Sequence, residues 1–554
     1  MRPASALHDS DLKQNGIKPE VENLYIVLLL VSVIMLAGVI LNGLSGKIGV
    51  PALLAFIVLG MIFGSDGIAK IPFDNFTFAE QICTAALIFI MFYGGFGTNI
   101  HAARPIAAQA LILSSLGVVL TAGLVGLFCH FCLGLELIDS FLIGSVISST
   151  DAASVFSVLR SKRLNLKYNT ASILEVESGS NDPFSYMLTV ILLSIKSGEI
   201  SGAGSVLYML FAQLVYGAVF GVLIGLGSAA FLKRFKFKSS GVDNMFVVAV
   251  VLLSYALPGA VGGNGFLSAY IVGIILGTAD INNKRSLVPF FDGVTSIMQL
   301  CIFFLLGLLS FPSRLPSVMF ISLGVALFLT FIARPVVVFG LLAPFRCKIS
   351  QMLVISWSGL RGAASIVFAV MAMMQGTSID IYHIVFGVVL FSILIQGTLI
   401  PPLSKKLNMI DNKEDVMKTF NDYSDEIPIQ FIQFAVTDDH PWSGLEIKDI
   451  VNPPDTILVL ILRGDEKIVP NGSTRLRTGD VIILSAKSPD RIPGIRLSEK
   501  TISKESTWIG KPISKLPNTS TRLIIMINRD GEAIIPNGDT VIRENDVLVI
   551  NHSD

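Results

Sequence analysis

Of 554 residues, 52% are hydrophobic and only 15% are charged, a balance that excludes an ordinary soluble globular protein. Basic and acidic residues are equal in number, 41 of each, so no excess charge draws the chain to nucleic acid. The apolar excess fills residues 24–405 and then stops, which divides the chain into a polytopic all-α membrane domain and a soluble C-terminal appendage.

In chain order, residues 1–23 read as a polar tail ahead of the first span. A membrane-crossing helix needs about 20 apolar residues, and thirteen stretches qualify: 24–44, 48–65, 81–98, 106–133, 137–159, 171–195, 203–232, 243–259, 264–280, 288–311, 316–343, 350–375 and 380–404. Arg160, Lys162, Arg163 and Lys167 follow the fifth. Lys233, Arg234, Lys236 and Lys238 follow the seventh, and Lys284 and Arg285 the ninth. Arg346 and Lys348 follow the eleventh, and Lys405 and Lys406 the last. Basic loops mark the cytoplasmic side, so the N-terminus is expected outside and the C-terminal part inside. The five cysteines lie in or at the end of apolar stretches and imply no disulfide framework; Cys129-His130-Phe131-Cys132 has metal-like spacing but reads as apolar helix filling.

Three stretches carry polar chemistry at depth. Within the sixth, Glu175, Glu177, Asn181 and Asp182 stand where hydrocarbon is expected. A bare charge there costs at least about 2.5–3.5 kcal/mol, so an intramembrane carboxylate cluster reads as an ion or proton site. Ser178, Asn181 and Asp182 share one helical face, with Glu175 a turn back. The fifth holds Ser148-Ser149-Thr150-Asp151, whose hydroxyls can satisfy a locally unwound backbone. The twelfth holds Trp357-Ser358-Gly359-Leu360-Arg361-Gly362. Interrupted helices at matching places in two halves of a transporter point to its substrate site, and five and twelve match if spans 1–6 and 8–13 form an inverted repeat. Arg361 needs a buried anion, for which Glu177, Glu175, Asp151 and Asp182 are candidates. Arg334, near the end of the eleventh stretch, is a further cation that can also snorkel. Gly262–Gly265 reads as a tight turn.

Through Thr150-Asp151, Glu177-Ser178 with Asn181-Asp182, and Gly359–Gly362, residues 24–405 resemble the monovalent cation:proton antiporters of the NhaP and animal sodium–proton exchanger type. The resemblance implies a homodimer in a bacterial cytoplasmic membrane, with a core domain of crossed, discontinuous helices. It implies that Asp182 exchanges a proton for K⁺ or Na⁺, that Asp151, Ser178 and the backbone near Thr150 coordinate the ion, that Asn181 stabilises the site, and that Glu177 pairs with Arg361. The Asn181-Asp182 pair resembles the electroneutral branch. Two departures stand out: Ala152 replaces a frequent proline, and Tyr93 replaces an acidic residue common in the third span.

After a charged linker (406–426), residues 442–486 repeat at 508–552 with a constant offset of 66, matching Trp442 to Trp508, Arg463 to Arg529, Pro470-Asn471-Gly472 to Pro536-Asn537-Gly538 and Asp480 to Asp546. Each copy reads as a short helix, a strand, a turn and a hairpin. The modules, 427–490 and 491–554, resemble the TrkA-C domain. That resemblance favours K⁺ over Na⁺ and implies a regulatory small ligand such as cyclic di-AMP or another nucleotide. The competing expectation is a K⁺ channel or uniporter gated by such modules. No cofactor motif, metal constellation or catalytic triad points to an enzyme.

Overall fold

A computed structural model describes residues 19–48, 52–98, 104–162, 164–235, 240–282 and 284–411. In the tail it describes 429–438, 440–451, 453, 456–464, 466–487, 496–504, 506–516, 522–529, 532–534 and 536–552. The chain separates into two compact units, Met1–Asp425 and Glu426–Asp554.

The described residues of the first unit are mainly helical. Its helices are α1 (Pro19–Ile48), α2 (Ala52–Phe63), α3 (Phe76–Gly97), α4 (Ala107–Ser114), α5 (Leu116–Leu133), α6 (Leu137–Val146), α7 (Ala152–Ser161), α8 (Thr170–Lys196) and α9 (Ala203–Arg234). They continue as α10 (Ser240–Ala260), α11 (Gly265–Thr278), α12 (Lys284–Leu309), α13 (Leu315–Phe328), α14 (Arg334–Leu342), α15 (Ile349–Trp357), α16 (Ala363–Met374), α17 (Ile381–Phe391) and α18 (Thr398–Lys406). Each of the thirteen apolar stretches is helical over most of its length. Among the described residues, seven helical segments are long and apolar enough to cross a membrane on their own, and five shorter apolar helices accompany them. The fifth and twelfth stretches are each split, α6 from α7 at residues 147–151 and α15 from α16 at residues 358–362.

Local chemistry explains the irregularities. Two π-turns, Leu329–Ala333 and Ser392–Gly397, lie just ahead of Pro335 and of Pro401-Pro402, where missing proline N–H groups spoil the ordinary ladder. Close helix approach is bought by glycine: a Cβ on Gly95 of α3 would strike the Tyr270 carbonyl of α11, and one on Gly273 of α11 the Phe92 carbonyl of α3. Around this contact Phe92, Phe266, Phe291, Phe303, Phe368 and Phe386 are buried in one core. Cys129 is buried and Cys132 faces outward, while His130 Nδ1 meets the Leu135 carbonyl at 2.9 Å; the metal-like spacing does not converge. Past α18 the chain pairs with the α7–α8 loop. The Lys167 N–H donates to Met409 O at 2.9 Å, and the Asp411 N–H to Asn165 O at 3.0 Å.

The second unit holds two four-stranded antiparallel sheets. β1 (Ile429–Ala435), β2 (Thr456–Arg463), β3 (Glu466–Ile468) and β4 (Val481–Lys487) run in the order β1-β4-β2-β3; β5 (Arg496–Thr501), β6 (Arg522–Arg529), β7 (Glu532–Ile534) and β8 (Val547–His552) run in the order β5-β8-β6-β7. The registers superpose at the same offset of 66: Ile461 faces Ile468 and Ile482, and Ile527 faces Ile534 and Leu548. The structural repeat begins before the sequence repeat, because β1 and β5 occupy matching places with little identity. Where a short helix is expected, each copy has a single 3₁₀ turn, Ile447–Asp449 and Ile513–Lys515.

Each module is stapled by one buried ion pair made of repeat-matched residues. Nε and Nη2 of Arg463 donate to the two oxygens of Asp480, both at 2.8 Å, and the Arg477 N–H donates to Asp480 Oδ2 at 2.8 Å. Arg529 does the same to Asp546, both at 2.8 Å, with the Arg543 N–H at 2.7 Å. The arginine hydrogen bonds hold both carboxyls below the usual carboxylate range. A carboxyl depressed in the folded state stabilises above its unfolded value, about 3.9, and that stability is lost as pH falls through the lower folded value. Tail stability is therefore expected to be flat from neutral pH to about pH 4 and to fall below it, as followed by amide hydrogen exchange of β2 and β6 in the full chain. Asp480→Ala should destabilise the first module by about 2–3 kcal/mol, less than a fully buried pair would lose because Arg463 keeps some solvent contact, and should flatten the acid transition of that module alone.

Candidate ion-binding site

The two helix breaks touch. The Asp151 N–H, just before α7, donates to Leu360 O, just before α16, at 2.8 Å. Gly362 makes the approach possible, since a Cβ there would lie 2.5 Å from the Asp151 Cβ. Unwinding leaves carbonyls without helical partners, and buried ones must be paired. Arg361, 1% exposed, does this: its Nη1 donates to Ser148 O at 2.9 Å and Ser149 O at 2.6 Å. Its own N–H donates to Ser392 Oγ at 3.1 Å, and Ser392 in turn donates to Gln396 Oε1 at 2.6 Å.

α8 supplies the remaining partners from one face. Ser178 Oγ donates to Thr150 O at 2.8 Å. Asn181 Nδ2 donates to Thr150 Oγ1 at 2.5 Å. Asp182, 6% exposed, accepts from the Ser149 hydroxyl. Asp151 caps α7, accepting from Ser154 Oγ at 2.5 Å.

The expected pair between Glu177 and Arg361 is not what the structure contains. Glu177, 1% exposed, pairs with Arg334 on α14, Nη2 to Oε1 at 2.6 Å. The reason is local demand: Arg361 is committed to the broken backbone of residues 148–149, and Arg334, 3% exposed, faces inward rather than snorkelling. Gly359 clears the way, since a Cβ there would sit 2.9 Å from Arg334 Nε. Arg334 is thus an internal counter-ion, placed directly after the Leu329–Ala333 π-turn.

Asp182, Asp151, Thr150, Ser178, Glu175 and Tyr93 all line one cavity of about 470 Å³. Asn181, Glu177, Arg361 and Arg334 stand outside its lining and hold the walls. Groups outside the expected set also line it, among them Ser149 and Asp292. Ser149 belongs to the fifth-stretch motif but had no assigned role. Asp292 of α12 also lines the cavity; the argument applied to Asp182, a carboxylate inside an apolar stretch, would have found it.

A buried carboxylate with one hydroxyl donor and no ion pair among the described residues can hold a proton or a small cation in turn. The sodium/hydrogen exchanger transmembrane family model matches residues 30–406. The chain belongs to this family. TrkA-C domain models match residues 431–491 and 497–551. The chain is 32% identical over 480 residues to the K⁺/H⁺ antiporter NhaP of Alkalimonas amylolytica, covering 86% of this chain and 83% of that one. It is 32% identical over 452 residues to the K⁺/H⁺ antiporter NhaP2 of Shewanella baltica, covering 80% and 78%. The fold is similar to that of the sodium proton antiporter MjNhaP1 from Methanocaldococcus jannaschii, with a TM-score of 0.62 at 23% identity over 69% of this chain and 99% of that one.

Arg334→Ala is expected to destabilise the family domain by about 3–5 kcal/mol, because it strands Glu177 as an uncompensated buried charge. In a double-mutant cycle read by thermal unfolding, Glu177→Gln should couple more strongly to Arg334→Gln than to Arg361→Gln. Stronger coupling to Arg361 would restore the partner expected from sequence.

Proposed function

We propose that this protein is a secondary antiporter that exchanges K⁺ for H⁺ at Asp182, electroneutrally and by alternating access. The carrying observation is the isolation of Asp182: it lines the cavity, 6% exposed, and forms no ion pair among the described residues. Both nearby arginines are engaged elsewhere, Arg334 by Glu177 and Arg361 by two carbonyls. An unpaired carboxylate at depth is costly while charged, so it takes up H⁺ or a partly dehydrated cation, and one excludes the other. Either occupant neutralises it. If the core moves between its two faces only when neutralised, each cycle carries one cation one way and one proton the other, with no net charge moved. Asp151, Ser178 and the backbone of Thr150 complete the ion's surroundings.

K⁺ is favoured over Na⁺ by the named activities of the K⁺/H⁺ antiporter relatives and by the paired TrkA-C modules. We place the thirteen helical stretches across a bacterial cytoplasmic membrane, arranged as inverted repeats in a homodimer, with the N-terminus outside. The basic residues at the odd-numbered ends support a cytoplasmic tail. There the modules are proposed to take a small regulatory ligand, cyclic di-AMP or another nucleotide, that adjusts the rate.

In proteoliposomes with an acidic lumen, external K⁺ should drive H⁺ out and alkalinise the lumen, and clamping the voltage should change little. Asp182→Asn should reduce this exchange to the level of protein-free vesicles without loss of folded protein. Exchange in response to Na⁺ alone would reassign the cation, a K⁺ leak without H⁺ movement would favour a channel, and undiminished exchange by Asp182→Asn would remove Asp182 from the mechanism.

A further inference from the structure

The cavity has a second polar wall that the exchange site does not use. On α12, Asp292, Thr295, Ser296 and Gln299 all line it. Their spacing, i, i+3, i+4 and i+7, is that of one helical face. The rest of the stretch, Leu287–Phe291 and Ile302–Leu309, is almost wholly apolar, so this face is a deliberate interruption. Across the cavity the Tyr93 hydroxyl of α3 points at Asp292 Oδ1 at 3.4 Å, a long hydrogen bond. Tyr93 stands where the family resemblance implies an acidic residue, and Asp292 brings a carboxylate to the same part of the cavity from another helix.

Thr295 shows that the wall is built for an occupant. It is 7% exposed, and its Oγ1 has no hydrogen-bond partner among the described residues. A threonine inside a helix ordinarily bonds back to a carbonyl one turn earlier, as Thr189 does to Ser185 O at 2.9 Å. A buried hydroxyl left without a partner is costly. Here it lines a cavity one turn from a carboxylate.

We propose that Asp292, Thr295 and Tyr93 form a second cation subsite, where a partly dehydrated monovalent cation rests between solvent and Asp182. The charge of Asp292 attracts it, the hydroxyl and amide oxygens of Thr295, Ser296 and Gln299 replace part of its hydration shell, and the Tyr93 oxygen contributes a neutral ligand. Neutral oxygens around one charge hold a cation loosely enough to pass it on. Onward transfer rests on the exchange role of Asp182; binding at the subsite does not.

The test uses the full chain in proteoliposomes and in detergent. Asp292→Asn is expected to raise the apparent KM for K⁺ about tenfold, the scale on which a charged cleft concentrates a counter-ion, with a smaller effect on the maximal rate. Thr295→Val should raise it by about fivefold through loss of one ligand, and Asp292→Glu should restore most of the loss. ⁸⁶Rb⁺ binding should persist in Asp182→Asn and disappear in Asp182→Asn/Asp292→Asn. An unchanged KM in both Asp292→Asn and Thr295→Val, or no Rb⁺ binding in Asp182→Asn, would overturn the subsite. If Asp292→Asn fails to fold, the Thr295→Val and Asp292→Glu results decide. Continued exchange by Asp182→Asn would defeat the Asp182 mechanism while leaving the Asp292 result standing, so the two failures are distinguishable.

Discussion

Two helices stop inside an apolar core, and their broken backbones have to be paired. Arg361 satisfies the carbonyls of Ser148 and Ser149, and the Asp151 N–H meets Leu360 O across the crossing. With those groups paired, Ser178 and Asn181 of α8 can hold Thr150 by its carbonyl and its hydroxyl. The Ser149 side chain is then left to turn to Asp182. The polar side of the cavity is an outcome of how the breaks are sealed, which is why it draws on α8 and on the ends of the short helices at once.

Charge in this region is divided by need. An arginine whose guanidinium is spent on backbone carbonyls is a poor partner for a carboxylate, and Glu177 is served by Arg334 instead. The exchange of partners has a consequence for Asp182. Had Arg361 paired with Glu177, the Ser148 and Ser149 carbonyls would have lacked a donor, and Arg334 would have remained a buried cation in search of an anion. Breaking up a buried charge set in this way costs several kcal/mol. As arranged, both cations are neutralised or occupied, and Asp182 lines the cavity with no ion pair among the described residues.

The tail solves a different problem. Each module is small, and its core is correspondingly slight: Ile461, Leu476 and Ile482 in the first, Ile527, Ile542 and Leu548 in the second. Small cores need additional ties. In both copies the tie is an Arg–Asp pair joining the strand end at residue 463 or 529 to the turn before the last strand. The arginine also reaches a carbonyl of the intervening loop, Arg475 O at 3.0 Å or Val541 O at 2.8 Å. Matching landmarks of the repeat are therefore partners of one another.

Hydropathy, the offset of 66 and the three intramembrane motifs are one-dimensional features, and they determined the division of the chain, the helical stretches and the grouping of Asp182, Asp151, Thr150 and Ser178, which line one cavity. These were legible because burying polar groups in an apolar stretch is costly wherever it happens, so their presence alone carries meaning. Which opposite charges meet was not legible. Glu177 could reach Arg361 or Arg334 from the sequence, and only the packing of α14 against the twelfth stretch, with Gly359 between, chose Arg334. Asp292 carries the same signal of a carboxylate in an apolar stretch, but no motif ties it to the other residues; its place in the cavity depends on the rotation of α12 against α3. Spacing along the chain reports which residues share a helix face, but the direction that face takes is set by neighbouring helices, and that is a property of the tertiary structure.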